Sequence, residues 1–451
     1  MENTFDVIIL GMGPGGEVAA GRLLKAGLDV AVVERELIGG ECGYWACIPS
    51  KTLLRPAQVR TEARATPGVT GAELDWSAAS DYRDTMIRHL DDSAQLKGYE
   101  KRGATVVRGA GRFTGPGRIS VGERELEATH VIIATGTTPV FPQIPGLQVF
   151  FDWANSEIYT ATTLPARAVV VGGSAVGVET ARFLAHFGVE TTLVHRGSAL
   201  LSREEPRVGE LTLEQLEGAG VRVLLDSSPT RARREGGDSV LELEGGDVPE
   251  VAADVVVFAT GRRPNTDELG ADTAGITLGK KGEIPVDGTC RAAEGVWAIG
   301  DVNAVLPFTH VAKYQGRLVA DAILGRGRTA HYDGIPRVVF GIPDIACVGL
   351  TRQQATDEGL SVESVELDVT AALAKPWIDE PAPAARLGLL ADTDRQVLLG
   401  AWAVGPEAAE WIHHAALAIR TSIPIETLRD QVPQFPTFHE AYLEALARFS
   451  F

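Results

Sequence analysis

Short apolar runs closed by glycine turns, each followed by a helix-compatible stretch, recur along this chain. Residues 5–16 read FDVIILGMGPGG. An apolar run this short, bounded by glycines, predicts a strand. The stretch EVAAGRLLKAG then predicts a helix, and LDVAVVE a second strand that ends at Glu34. The same order returns at 168–196, AVVVGGSAVGVETARFLAHFGVETTLVHR. Ala-Thr-Gly turns close apolar strands in IIATGTTP (132–139) and VFATGRRPN (257–265), and the strand within GTCRAAEGVWAIGDVN (288–303) ends at Gly300-Asp301. The segment RREGGDSVLELEGGD (233–247) predicts a surface hairpin. The strand–helix–strand unit is the one internal repeat.

The glycines give the repeat a chemistry. Gly11, Gly13 and Gly16 stand in G-x-G-x-x-G spacing. That spacing allows a tight turn and a close approach of backbone to a pyrophosphate at a helix N-terminus. Glu34, at the end of the second strand, suits a ribose hydroxyl pair. In the second unit Gly172 and Gly177 hold the outer positions and Ser174 the middle one, which narrows the room near the phosphates. His195 stands after Gly172 where Glu34 stands after Gly11, and Arg196 and Arg203 follow. A carboxylate would repel a 2′-phosphate, and arginines bind one. The first unit therefore reads as a site for an unphosphorylated ribose and the second as an NADP site, with NADPH preferred over NADH. The competing reading of Arg196 and Arg203 is as solvated surface charges.

Bulk properties narrow the class. A chain of 451 residues exceeds one ordinary core, so two to four domains are expected. The formal charge of −18 argues against nucleic acid or an anionic membrane as partner. MENTFDVIIL enters a strand-like run at once, without the pattern of a secretory signal, and no run of 18 apolar residues is present. A reducing cytoplasm is the expected compartment, with a small molecule as substrate. There a close cysteine pair is more often catalytic or metal-binding than a staple.

Such a pair lies in GGECGYWACIPSK, residues 39–51, where Tyr44 and Trp45 separate Cys42 from Cys47. A structural zinc needs about four ligands. Cys290 and Cys347 are lone and distant, so no metal site is expected. Five residues of regular helix rise ~7.5 Å, beyond the ~7 Å that a disulfide spans between Cα atoms. If these sulfurs bond, the chain between them must leave regular helix. Two buried free thiols remain the alternative on these residues alone.

Together these segments resemble the flavoprotein disulfide reductases, the group of dihydrolipoamide dehydrogenase, glutathione reductase and mercuric reductase. CGYWACIPSK resembles the redox-active segment, Gly11 to Glu34 the FAD-binding entry, and AIGD (298–301) a second FAD segment. IPRVVFGIPDIACVGLTRQQA, from residue 335, resembles the start of the interface domain. The resemblance implies an α/β chain with two Rossmann-like dinucleotide-binding domains, for FAD and NADP, and a C-terminal α+β dimerisation domain. The implied bounds are 1–150 and 286–330 for the FAD domain and 151–285 for the NADP domain. The body of the NADP domain would reach about 265, and 331–451 would form the interface domain. The Pro- and Gly-rich FPQIPG (141–146) and DGIP (333–336) suit the junctions.

The resemblance also implies roles. Cys42 would be the interchange thiol and Cys47 the thiol against the flavin. Lys51 would approach flavin N5, paired with Glu179. Asp301 would bind the FAD ribitol, with further FAD contacts from Thr309 and Gly111. Thr135, Gly136 and Gly261, in the Ala-Thr-Gly turns, join the cofactor-binding set. A homodimer with the active site shared across its interface is implied.

FPTFHE, Phe435 to Glu440, departs from the pattern. In the disulfide-reducing members a histidine, the acid/base for the interchange thiol, stands where Phe435 does, and a glutamate stands at Glu440. Phenylalanine moves no proton. His439 is a possible substitute, although on a helix it would point away from Glu440. His413 and His414 read as helix-surface residues. Mercuric reductase also lacks this histidine but carries a C-terminal cysteine pair, and no cysteine follows Cys347 here, so mercury reduction is not expected. 2-Ketopropyl-coenzyme M carboxylase, a C–S-cleaving relative, also has phenylalanine here, with histidine at the position of Glu440. The expected function is electron transfer from NADPH through FAD to a Cys42–Cys47 disulfide, and on to a small disulfide or other thiolate-reactive molecule. C–S cleavage of the carboxylase kind, or a flavin-binding module whose cysteines do not turn over, are the alternatives.

Overall fold

The computed structural model describes residues 3–149, 153–378 and 384–451. The expected boundary at 150/151 lies outside the described residues. The chain forms two compact units. The first comprises Met1–Pro49, Tyr82–Phe141 and Gly261–His331, and the second Ser50–Asp81, Pro142–Thr260 and Tyr332–Phe451.

The first unit is built on a sheet in which strand Thr4–Leu10 lies between Val30–Glu34 and Arg124–Ile133, parallel to both. Its alternate side chains enter two cores. Ile8 and Leu10 pack with Phe113 and Ile119, and Val7 and Ile9 with Ala19 and Leu23. Burial on both faces is why the run carries no polar alternation. The strand order reverses at Thr4–Leu10, which makes its carboxyl end a switch point where open α/β sheets bind ligands.

The second unit contains a parallel sheet in the order Arg222–Leu224, Glu190–Val194, Arg167–Val171, Val255–Phe258. An antiparallel three-stranded sheet flanks it, and its first two strands, Ser228–Glu235 and Asp238–Glu244, form the expected hairpin. A five-stranded antiparallel sheet, Pro336–Val339 to Arg386–Asp392 and Val362–Asp368, carries the C-terminal region. Its apolar face packs against Trp411, Ile412, Phe438 and Tyr442.

Two groupings rest on long-range contacts. Residues 261–285 group with the first unit, because Phe113 N–H donates to Leu269 O at 2.8 Å and Ile284 N–H to Val302 O at 3.0 Å. Residues 50–81 group with the second, where Leu53, Leu54 and Ala79 join the core of Val170 and Phe183. His414 is a correction. His413 is exposed, but the His414 ring lies 4.5 Å from that of Tyr442, and its Nε2 is buried without a partner among the described residues. That burial comes from a later helix, which helical spacing around residue 414 does not report.

Candidate active site

The two glycine turns have one design. A Cβ on Gly11 would lie 2.3 Å from Ala134 O, and one on Gly172 2.3 Å from Ala259 O. A Cβ on Gly16 would lie 2.1 Å from Gly11 O, and one on Gly177 1.8 Å from Gly172 O. These outer glycines are demanded by packing. Gly13 differs, because nothing lies within 4 Å of its would-be Cβ. Ser174 adopts nearly the same backbone angles (φ −83°, ψ 176°) as Gly13 (φ −70°, ψ −176°). The middle position therefore faces open space, as a turn that receives a phosphate must.

The ends of the second strands also correspond. Glu34 is buried and accepts the Met12 N–H at 2.7 Å and the Glu36 N–H at 2.8 Å. Burial raises its carboxyl above the usual range against those two bonds. In the second unit His195 Nδ1 accepts the Gly173 N–H at 3.1 Å. Gly173 is the residue after the first glycine, as Met12 is. An accepting Nδ1 is unprotonated, in line with the burial that pushes the His195 pKa down. His195 thus replaces a negative acceptor by a neutral one. Arg196 and Arg203 are exposed and make no ion pair among the described residues.

The cysteine segment is two helices and a break. Gly40–Tyr44 is helical, Trp45 has φ −128°, and a helix restarts at Cys47 and runs to Ala65. Pro49 sits in the first turn of that helix, where its missing N–H costs no bond. The chain between the cysteines therefore leaves regular helix, as a bond between them requires. In this structure the sulfurs are unbonded, and the two thiols hydrogen-bond each other. The Thr309 hydroxyl lies 3.3 Å from each sulfur. Thr309 opens the helix Thr309–Ile323, and Cys47 opens its own, so two helix N-termini meet at the sulfurs. Helix N-termini favour a thiolate. The Cys42 thiol is pushed up, first by its bond to Cys47 and then by burial.

Neighbouring residues hold this arrangement, several of them absent from the sequence reading. Gly39 N–H donates to Met12 O at 2.8 Å, and a Cβ on Gly40 would lie 2.7 Å from Gly13 Cα. The cysteine segment is thereby locked to the glycine turn. Tyr44 is fully buried and its hydroxyl donates to Ile38 O at 3.1 Å, so it serves packing, and Trp45 is partly exposed beside it. Gln315 Oε1 accepts the Gly300 N–H at 2.7 Å and fixes the turn of Asp301. Asp301 Oδ2 accepts from Thr137 Oγ1 at 3.3 Å, and burial raises its carboxyl. Arg262 bonds both Thr137 and the Glu41 carboxylate. Thr135 Oγ1 donates to Asn265 O at 2.9 Å, Gly136 O accepts the Asn265 N–H, and Gly111 opens a strand against Leu10.

In the second unit Lys51 Nζ lies 2.7 Å from Glu179 Oε2, with Glu179 buried. Its partner oxygen accepts the Phe340 N–H at 2.9 Å. Near the C-terminus Phe435 is 70% exposed. Glu440 Oε2 accepts the Thr437 N–H at 3.3 Å, and His439 is exposed with its ring 6.1 Å from that of His414. Among the described residues no group of three or more His, Cys, Asp or Glu side chains is placed to hold a metal, and no helix is long and apolar enough to cross a membrane.

The chain is similar to known proteins. A model described as pyridine nucleotide-disulphide oxidoreductase matches residues 5–316, and one of its dimerisation domain matches residues 335–446. The mercuric reductase of Staphylococcus aureus is 30% identical over 99% of this chain and 83% of its own. Dihydrolipoyl dehydrogenase of Geobacillus stearothermophilus is 30% identical over 98% of this chain and 95% of its own. RclA of Escherichia coli, an HOCl-induced flavoprotein disulfide reductase, is 27% identical with a TM-score of 0.88, covering 98% of this chain and 99% of that one. A structure of RclA as its Cu(II) complex covers 99% of both chains, with a TM-score of 0.87 at 26% identity.

Proposed function

The chain belongs to the pyridine nucleotide-disulphide oxidoreductase family, and from that premise we propose that it passes electrons from NADPH to a Cys42–Cys47 disulfide. From there they reach a small disulfide or other thiolate-reactive molecule. The observation that carries the reading is Thr309, whose hydroxyl lies 3.3 Å from both sulfurs at the start of a helix.

The first unit fits FAD. Its glycine turn is open at Gly13, Glu34 is fixed by the Met12 and Glu36 N–H groups, and the Asp301 carboxylate accepts from Thr137. Bound there, FAD would supply the two-electron carrier between a hydride donor and the sulfur pair. Gly11 to Gly16 would take the pyrophosphate, Glu34 the ribose and Asp301 the ribitol. Lys51, one helical turn past Cys47, would serve the flavin side with Glu179.

Reduction opens the disulfide to two sulfurs that share one proton. Cys47 keeps the thiolate, favoured by two helix N-termini, and Cys42 keeps the proton. To act, Cys42 must release that proton and attack a substrate sulfur, whose S–S bond breaks and whose leaving thiolate is protonated. Cys47 then attacks Cys42, restores the disulfide and expels the second product as a thiolate, which takes its proton from water. Phe435 cannot take the Cys42 proton, so this exchange is slow. The same feature favours a second reading, in which a thiolate-binding metal ion accepts the electrons. A mercuric reductase and the Cu(II) complex of RclA are among the relatives, and reduction of a bound metal ion needs no acid at position 435.

The working form is a homodimer in the cytoplasm, with the segment of Phe435 completing the partner's site. Light scattering showing an active monomer contradicts the dimer. The purified chain carries FAD, and Cys42→Ala abolishes NADPH-driven reduction of both disulfides and metal ions. A chain that takes up no FAD on reconstitution ends this reading.

A further inference from the structure

Arg182 is 1% exposed and lies one turn past Glu179 on the helix Ala175–His186. Its Nη1 donates to Pro343 O at 3.1 Å and its Nη2 to Gln215 Oε1, while Nε is buried without a partner among the described residues. Burial pushes its pKa down to about 10, so the cation persists at neutral pH. A buried cation requires compensating charge. Glu179 and Asp344 supply it.

The turn 340–344, between strands Pro336–Val339 and Asp344–Gly349, is held by hydrogen bonds at Phe340, Gly341 and Pro343. Phe340 N–H donates to Glu179 Oε1 at 2.9 Å, and Gln58 Nε2 to Gly341 O at 3.2 Å. Gly341 N–H donates to Asp344 Oδ1 at 3.1 Å, and Pro343 O takes Arg182. A Cβ on Gly341 would lie 2.1 Å from Arg182 Nη1, so the turn passes directly over the guanidinium. Lys51 Nζ, bound to the other oxygen of Glu179, lies 4.8 Å from the centre of the Phe340 ring. Lys51, Glu179, Arg182 and Asp344 thus form a row of alternating charge.

We infer that Arg182 and Asp344 are positioning residues that hold the Glu179 carboxylate, and through it the Lys51 ammonium, by way of the 340–344 turn. The catalytic meaning rests on the reading of Lys51 and Glu179 given above. The groups facing Asp344 are the Arg182 cation, the Glu179 carboxylate and the N–H groups of Gly341 and Ala409. Burial raises the Asp344 carboxyl to about 6. Once Asp344 takes a proton, Arg182 loses one of its two anions and draws harder on Glu179. The hold of Glu179 on Lys51 then loosens.

A double-mutant cycle on the full chain tests this without reference to turnover. Lys51→Met, Asp344→Asn and the double variant are unfolded in urea at about pH 7.5 and about pH 5. The combined effect on the unfolding constant departs from the product of the single effects by about threefold or more at the higher pH, and not at the lower. Asp344→Glu, which keeps the charge, restores the coupling. If Asp344→Asn does not fold, the Lys51→Met effect in the otherwise native chain must still change between the two pH values. Effects that multiply independently at both pH values, or a Lys51→Met effect that ignores pH, overturn the inference. Flavin content, read on the same samples, separates the two claims. Coupling in a chain that binds no FAD keeps the network and removes the flavoprotein reading. Independent effects in a chain that binds FAD do the reverse.

Discussion

His195 Nδ1 accepts the N–H of Gly173 at 3.1 Å, in the place where Glu34 Oε2 accepts that of Met12 at 2.7 Å. One turn geometry is thus served by a carboxylate in one unit and by a neutral imidazole in the other. The substitution removes a negative charge from the mouth of the second turn and leaves Arg196 and Arg203 exposed beside it. NADPH is therefore expected to reduce the protein faster than NADH. Arg196→Glu is expected to lower kcat/KM for NADPH by about 10- to 100-fold, the worth of one hydrogen bond to a charged group. Stopped-flow reduction at matched concentrations decides it, and equal rates with the two nucleotides would refute the assignment.

The glycines of the first turn separate packing from binding. Gly16→Ala places a methyl 2.1 Å from Gly11 O and is expected to destabilise the fold by about 3 kcal/mol. Gly13→Ala meets nothing within 4 Å, so it is expected to preserve the fold and weaken FAD retention. Urea unfolding beside flavin absorbance reads both. Equal loss of stability in the two variants contradicts this division of labour.

On the proposed reading, Phe435 leaves Cys42 without a proton acceptor. Wild-type turnover with lipoamide or glutathione disulfide is expected to be weak, and Phe435→His to raise it. The gain falls short of the ~10² to 10⁴ of a positioned base, because Glu440 is bound to the Thr437 N–H and not prepared for an imidazole. His439→Ala is expected to change little, since its ring is exposed. A fast wild type that His439→Ala disables would make His439 the base.

Asp344 predicts a pH signature of its own. Its folded pKa is raised from 3.8 to about 6. The folded chain therefore holds the proton more tightly, and the stability this contributes is present below about pH 4 and lost as pH rises through about 6. Asp344→Asn lacks that loss. Relative to wild type, the variant is expected to gain about 3 kcal/mol between about pH 4 and about pH 7. Parallel stability curves for the two proteins would remove the shift.

What the sequence disclosed follows from range. Gly11 to Glu34 and Gly172 to His195 are local units whose strand, turn and helix depend on neighbours in the chain, so spacing alone revealed them. The break between Cys42 and Cys47 was legible only on condition of a bond, since helix rise forbids one across five regular residues and the bond itself was implied by the resemblance. The grouping of 261–285 with the first unit was not, since it rests on bonds from the Phe113 N–H to Leu269 O and from the Ile284 N–H to Val302 O. Arg182 was equally silent. Its meaning lies in Gln215 and in the turn 340–344, far along the chain, and on its own helix it reads as a surface charge. His414 was misplaced for the same reason, because Tyr442 supplies its cover.

The central claim is that electrons from NADPH arrive at Cys42 and Cys47. The direct measurement is anaerobic trapping with iodoacetamide of the air-oxidised protein, before and after one equivalent of NADPH, with peptide mass spectrometry of residues 39–51. The account predicts that neither cysteine is alkylated before NADPH and that both become alkylatable after it, Cys42 slowly at neutral pH and faster as pH rises, since its thiol is raised. Full alkylation of both cysteines before NADPH, or no change after the flavin has been bleached, would contradict it.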